Sequence, residues 1–300
     1  MTQPLEGIQW PITDEATQDR ASTKTSLKIW SDSFMALDKK VAQDVLEQGK
    51  SWRFKYAKYI LKHVELSLKS PENALQAAKA GLQSMHEHFQ FIRDGKSYKF
   101  SEALQRFNNN IFEVGKIIGN NPKPANKQYE VPYRGRSLKG EELVEKLRQW
   151  SAYGTIEPDT QEAITAVVKN SKWIDLSDQY FVLLGAGAAM GPYPILMSLG
   201  ANVIALDIDR PHVWKRLISI AENSCGTLYF PLKKKQSELS TNDQIAENAG
   251  CNLMNQTPEI NAWLSNLFLD KDLIVGTYVY LDGELHVRVA LACDAIVQVN

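Results

Sequence analysis

Cysteine is scarce in this chain. Cys225, Cys251 and Cys293 lie far apart, and no Cys-x-x-Cys occurs. That excludes a disulfide framework and a zinc site of the usual spacing, and it points to free thiols in a reducing compartment. Long apolar runs are missing too: none approaches the about 18 residues of a membrane-spanning helix. The opening MTQPLEGIQW has neither the basic nor the apolar region of a signal peptide. The expectation is a cytoplasmic chain with no membrane partner. Net charge is nearly absent at −1, but it is unevenly spread. Residues 1–150 carry 24 Lys+Arg against 18 Asp+Glu, and residues 151–300 carry 10 against 17. Acids interrupt the positive residues of the first half, which argues against a nucleic-acid surface, while the opposite signs suit two halves with different roles. Metal ligands are sparse as well. His86 and His88 stand two apart on a helical pattern, so they point in different directions and cannot share an ion; no metal is expected.

What is present is ample core material, 44% hydrophobic over 300 residues, enough for two domains. After a polar lead (1–23), residues 24–118 read as an all-helical domain. Trp52, Tyr56, Tyr59, Ile60, His63 and Val64 recur at helical spacing, as do Leu75, Ala78, Leu82, Met85, Phe89 and Ile92, then Leu104, Phe107, Ile111, Val114 and Ile118. Short connections predict antiparallel packing into a bundle. Residues 119–140, rich in proline, asparagine and glycine, read as a linker. Residues 141–300 begin with two helices, one carrying Leu143, Leu147 and Trp150 and one starting at Pro158. Strands are then expected near 180–184, 202–206, 227–230 and 273–280, with a short helix around 260–268 and a polar, mobile segment over 233–257. A final helix over 284–299 is preferred to a strand. No internal repeat is evident.

The densest signal lies in Tyr180-FVLLGAGAAMGPYPILMSLGANVIALDI-Asp209. An apolar strand breaks into Gly185, Gly187 and Gly191; a short apolar segment ends at Gly200; a second strand is closed by Asp207. Strand, glycine turn, helix, strand and acid is the order of a mononucleotide-binding βαβ unit. Gly185 and Asp207 are 22 residues apart, near the roughly 20 expected from first glycine to ribose-binding acid. Gly185 permits the turn, Gly187 lets backbone approach a pyrophosphate, and a carboxylate at Asp207 can accept from both ribose hydroxyls. That favours NAD, with NADP left open by Arg210 nearby.

This stretch resembles the NAD(P)-binding Rossmann superfamily, and within it the short-chain dehydrogenase/reductase group, over about residues 178 to 230. Gly185 and Gly191 match the outer glycines of that group's fingerprint, and Ala189 stands at the middle one. Pro192 and Pro194 predict a late, short helix. No Tyr-x-x-x-Lys follows, so that group's catalytic pair does not carry over. The resemblance implies an α/β fold, a Rossmann-like mostly parallel sheet preceded by the helical domain, and an NAD(P)-dependent oxidoreductase acting on a small molecule.

Ligands of such sheets sit beyond the carboxyl ends of the strands. Gly276 therefore joins Gly185, Gly187, Gly191 and Asp207 as a cofactor-binding candidate, and Tyr278, Tyr280 and His286 are the acid–base candidates. A methyltransferase using S-adenosylmethionine is an alternative, although Leu183 stands where such proteins commonly carry an acid. A non-catalytic nucleotide-binding or assembly protein is another. A six-stranded doubly wound sheet needs two further strands after 284–299, so either the sheet is abbreviated, or its missing edge comes from a partner, a second copy included, or from the helical half, or the sequence is a piece of a longer one.

Overall fold

The computed structural model describes residues 5–123, 128–268 and 270–299. The chain divides into two compact units whose segments interleave: Met1–Ile111, Asn252–Leu267 and Val279–Asn300 form the first, Phe112–Cys251 and Phe268–Tyr278 the second.

The first unit opens with β1 (Gly7–Gln9), α1 (Ser22–Met35), α2 (Lys39–Glu47), α3 (Trp52–Ser67) and α4 (Pro71–His88). Local chemistry sets the helix starts. The Asp38 side chain accepts from the amides of Lys40 and Val41, and Ser70 accepts from Asn73 with Pro71 in the first turn. The helices enclose Leu27, Phe34, Val45, Trp52, Tyr59 and Leu66. The sequence then leaves helix earlier than its periodicity predicts. Phe89 is the extended residue that follows and caps α4, and Ile92 lies in β2 (Gln90–Arg93), which turns through Asp94-Gly95 into β3 (Lys96–Lys99). Both turn residues have positive φ, 52° and 71°, as a two-residue hairpin turn demands. β1, from the polar lead, pairs with β2. α5 (Phe100–Arg106) follows.

The second unit starts where the sequence again predicts helix. Val114 and Ile118 lie in β4 (Glu113–Ile118), so the first half is not all-helical. β4 pairs antiparallel with a later strand, setting Gly115 opposite Phe230. A Cβ on Gly115 would stand 2.5 Å from the Phe230 ring. Spacing of three and four mimicked a helix, but a mid-segment glycine and β-branched neighbours favour strand. Within the predicted linker, residues 124–127 lie outside the described residues, and β5 (Glu130–Tyr133) and β6 (Arg136–Lys139) form a second hairpin. Arg134-Gly135 turns it with φ of 49° and 78°. It leads into α6 (Gly140–Tyr153) as β3 leads into α5. Gly95-Lys-Ser-Tyr-Lys99 and Gly135-Arg-Ser-Leu-Lys139, each followed three residues later by glutamate (Glu102, Glu142), therefore form a repeated hairpin–helix. The expectation of no repeat is corrected: its period is hidden by the divergent apolar residues.

Next come α7 (Pro158–Lys169), β7 (Tyr180–Leu184), α8 (Tyr193–Ser198), β8 (Asn202–Leu206), α9 (Pro211–Glu222), β9 (Thr227–Leu232) and α10 (Asn242–Asn248). α11 (Thr257–Leu264) returns to the first unit, β10 (Leu273–Thr277) completes the second, and α12 (Glu284–Val299) ends the first. The segment over 233–257, read from sequence as polar and mobile, instead carries a packed helix: Thr241 caps α10 on the Gln244 amide, and Ile245 and Ala246 are buried. The five-stranded sheet runs β10-β7-β8-β9-β4, parallel throughout except for β4. The fold is mixed α/β with a mostly parallel sheet, and the first half supplies one of its edges. Trp214, Leu217 and Ile218 of α9 pack with Val203, Leu228 and Phe230 to form its core.

His63 makes the first unit pH-sensitive. Ser33 donates its hydroxyl to the Ala77 carbonyl at 2.9 Å, so the ring Nε2–H of His63, 2.8 Å away, donates to Ser33. Trp30 and Phe34 flank the ring, and burial pushes its pKa down. In the window between this lowered value and the unfolded value of about 6.5, the unfolded chain binds more protons, so stability rises with pH. Urea denaturation should show stability level above pH 7, falling as pH drops below about 6.5 and levelling again below the folded pKa. His63→Gln should flatten that step; an unchanged step would assign it elsewhere.

Candidate functional site

β7, β8 and β10 finish level with one another, Leu184 beside Leu206 and Thr277. The segment after each strand therefore meets at one edge of the second unit. After β7, Gly185 turns at φ +84° and gives its N–H to the Leu206 carbonyl at 2.8 Å. Ala188 donates to Gly185 O and Gly191 to Ala188 O, each at 3.0 Å, winding the loop into consecutive turns. Pro192 and Pro194 hold α8 to six residues, the late, short helix the sequence predicts.

After β8, Asp207 reaches across to the loop. Its Oδ2 accepts from the Gly187 amide at 2.6 Å and its Oδ1 from the Ile208 amide at 2.8 Å. Arg216 of α9 donates to the Gly187 carbonyl. A Cβ on Gly187 would stand 2.8 Å from Val213 Cγ1 and 3.0 Å from Asp207 Oδ2. Asp207 is itself anchored. Cys251 N–H donates to its carbonyl at 2.9 Å, and Trp214 Nε1–H donates to the Ile208 carbonyl at 3.0 Å. Asp209 points elsewhere and pairs with Lys233 at 2.9 Å on the surface. The Cys251 thiol is fully buried, and burial pushes its pKa up, with the Asp207 and Asp209 charges adding to the effect. It is an inert packing group, not a nucleophile.

After β10, Tyr278 donates its amide to Leu184 O at 2.8 Å. Its ring folds back over Gly276, where a Cβ would meet it at 2.6 Å, and lies 3.8 Å from the position of a Cβ on Gly191. The structure thus brings together Gly185, Gly187, Gly191, Asp207, Gly276 and Tyr278. Tyr280 and His286 belong to the first unit, where their rings lie 5.2 Å apart at the start of α12.

Chemically, this edge offers hydrogen-bond donors above a fixed carboxylate. Among the described residues, the amides of Ala189 and Met190 donate to no backbone or side-chain acceptor, and Met190 is 98% exposed. Successive free amides in a turn form a concavity for an anion. A carboxylate has about four lone-pair sites, so Asp207 retains acceptor capacity after holding two amides. Sequence reasoning missed Arg216, Val213 and the Cys251 amide. The Arg210-Pro211 helix start could have located the first two, which face the loop one turn apart. No group of three or more His, Cys, Asp or Glu able to hold a metal occurs among the described residues. Comparison with protein-family models, curated proteins and solved structures gives no match.

Gly187→Ala should destabilise the second unit by about 1–3 kcal/mol through overpacking against Val213. Val213→Ala in the same chain should restore part of that loss in chemical denaturation. Independent, additive effects would mean that the two positions do not meet.

Proposed function

We propose that the second unit is a Rossmann-like dinucleotide-binding fold and that the chain is an NAD(P)-dependent oxidoreductase acting on a small molecule in the cytoplasm. The observation that carries this reading is the Asp207 carboxylate clamping the glycine loop at the Gly187 amide while the Ala189 and Met190 amides stay free. Strand order supports it. β8 lies on one side of β7 and β10 on the other, so the connections diverge beside the loop, at the kind of crevice where open α/β sheets take ligands.

The residues suit a dinucleotide. The free amides would hold the pyrophosphate, and the remaining acceptor sites of Asp207 would take the adenosine ribose hydroxyls. The negative Asp207 disfavours a 2′-phosphate, so NAD is the preferred form, while exposed Arg210 keeps NADP within reach. When bound, the nicotinamide supplies the hydride donor or acceptor. Of the three acid–base candidates, Tyr278 stands in this group of residues, and its half-exposed phenol is the one assigned to exchange a proton with a substrate oxygen.

Calorimetric titration with NADH, NAD and their phosphorylated forms tests the reading. Binding of the non-phosphorylated pair at micromolar to low millimolar concentration is expected. No binding by any of the four would overturn it, and tight binding of S-adenosylhomocysteine alone would move the chain to methyl transfer.

A further inference from the structure

Helix α3 carries two apolar stripes, and only one is used. Trp52, Tyr59 and Leu66, seven residues apart, are buried in the first unit. Phe54, Leu61 and Leu68, also seven apart, are 84%, 61% and 80% exposed, with Ile60 and Val64 half-exposed beside them. An isolated exposed leucine is ordinary; five large apolar side chains on one outer helix face mark an interaction surface. At 3.6 residues per turn, the arc from Ile60 through Leu68 to Phe54 covers roughly 120° and runs roughly 21 Å along the axis.

Its charge selects the occupant. Lys55, Lys58, Lys62 and Lys69 line one side of the stripe, Arg53 stands within its arc, Lys50 precedes the helix, and Glu65 is the one acid between 50 and 69. Lys58 and Lys62 pair with Asp44 and Glu65 at 3.7 Å and 3.1 Å, whereas Arg53 and Lys55 make no ion pair among the described residues. A second copy would set this surplus of five positive charges against itself. An apolar face edged by long basic side chains is the pattern of helices lying in the plane of an anionic bilayer: the apolar groups enter the acyl boundary while the lysines reach the headgroups. The arc is also wider than the narrow seam used by a partner helix.

We propose that α3 is a membrane-surface helix that docks this protein on anionic lipid, such as the cytoplasmic leaflet presents. No helix among the described residues is long and apolar enough to cross a membrane, and none is needed. The expectation of no membrane partner rested on apolar run length, a signal for spanning a bilayer and silent about lying on one.

Flotation of the full chain with vesicles of phosphatidylcholine, with and without phosphatidylserine, tests this. The protein should float with the serine-containing vesicles alone, and flotation should disappear in high salt. Phe54→Ser with Leu61→Ser and Leu68→Ser should abolish it, with an unchanged circular-dichroism spectrum showing that the exposed substitutions leave the fold intact. Arg53→Glu with Lys55→Glu should weaken it by at least about 25-fold, each basic residue being worth about fivefold. Failure of the wild type to float, or flotation indifferent to both variants, would overturn the proposal. So would a concentration-dependent dimer abolished by the serine variant without vesicle binding, or capture of a synthetic acidic amphipathic helix by a chain that ignores vesicles.

Discussion

Trp214→Ala is expected to cost the second unit about 3–5 kcal/mol, the range for removing a large aromatic core residue. Trp214 is fully buried against Phe230, with ring centroids 5.2 Å apart. Its Nε1–H also holds the Ile208 carbonyl at 3.0 Å, so the change loosens the segment that presents Asp207. Gly250 approaches the indole so closely that a Cβ there would stand 2.5 Å from Nε1, leaving little room for the site to collapse around the cavity. Trp214→Phe separates the two roles. It keeps most of the packing and removes the donor, so it should cost about 1 kcal/mol while still weakening the proposed nucleotide binding. Denaturant midpoints and calorimetric affinities, measured on both variants, check this. A Phe variant as damaging to stability as the Ala variant would place the energy in the hydrogen bond and not in the packing.

Asp207→Ala should remove the acceptor for the Gly187 and Ile208 amides together. The part-buried Gly187 amide left unpaired carries a penalty of about 1–3 kcal/mol where water does not replace the partner, whereas water replaces it at the exposed Ile208 amide, and by the proposed function affinity for NAD should fall at least tenfold. Asp207→Asn keeps the shape but offers one acceptor oxygen for two donors, and should lie between. Asp209→Ala is the control, because an exposed pair with Lys233 contributes about 0–1 kcal/mol. The NAD-to-NADP preference should shift with Asp207 and stay with Asp209. The opposite pattern would show that the acid next to the loop is not the group that meets the ribose.

The parallel strands were legible because each is a short apolar run closed by a turn or an acid: Tyr180–Leu184 before Gly185, Asn202–Leu206 before Asp207. α6, α7 and α12 were legible from periodicity, with Pro158 marking a start. β4 was not. Its Val114, Ile117 and Ile118 pair with Pro231, Leu228 and Thr227 of β9, more than a hundred residues later, and a local pattern cannot register that pairing. The hairpins at Asp94-Gly95 and Arg134-Gly135 carried the right turn residues, but the helical stripes on either side masked them. α3 shows the deeper limit. Periodicity read Trp52, Tyr56, Tyr59, Ile60 and Val64 as one pattern and passed over Phe54, Leu61 and Leu68, yet Tyr56, Ile60 and Val64 turn outward while Trp52 and Tyr59 turn inward, because spacing defines a helix and only packing decides which face is covered. At the site, the glycines and Asp207 were legible as residues. Their direct bond was not, since it depends on the level ends of β7 and β8.

Amide hydrogen exchange on the unmodified chain, with and without saturating NADH, tests the proposed dinucleotide site most directly. The site described here predicts slowed exchange at Ala189 and Met190, whose amides lack internal acceptors, together with the segments around Gly187 and Asp207, and little change in α1 to α4. Exchange that is unchanged across residues 185–192, or protection appearing only outside the second unit, would contradict it.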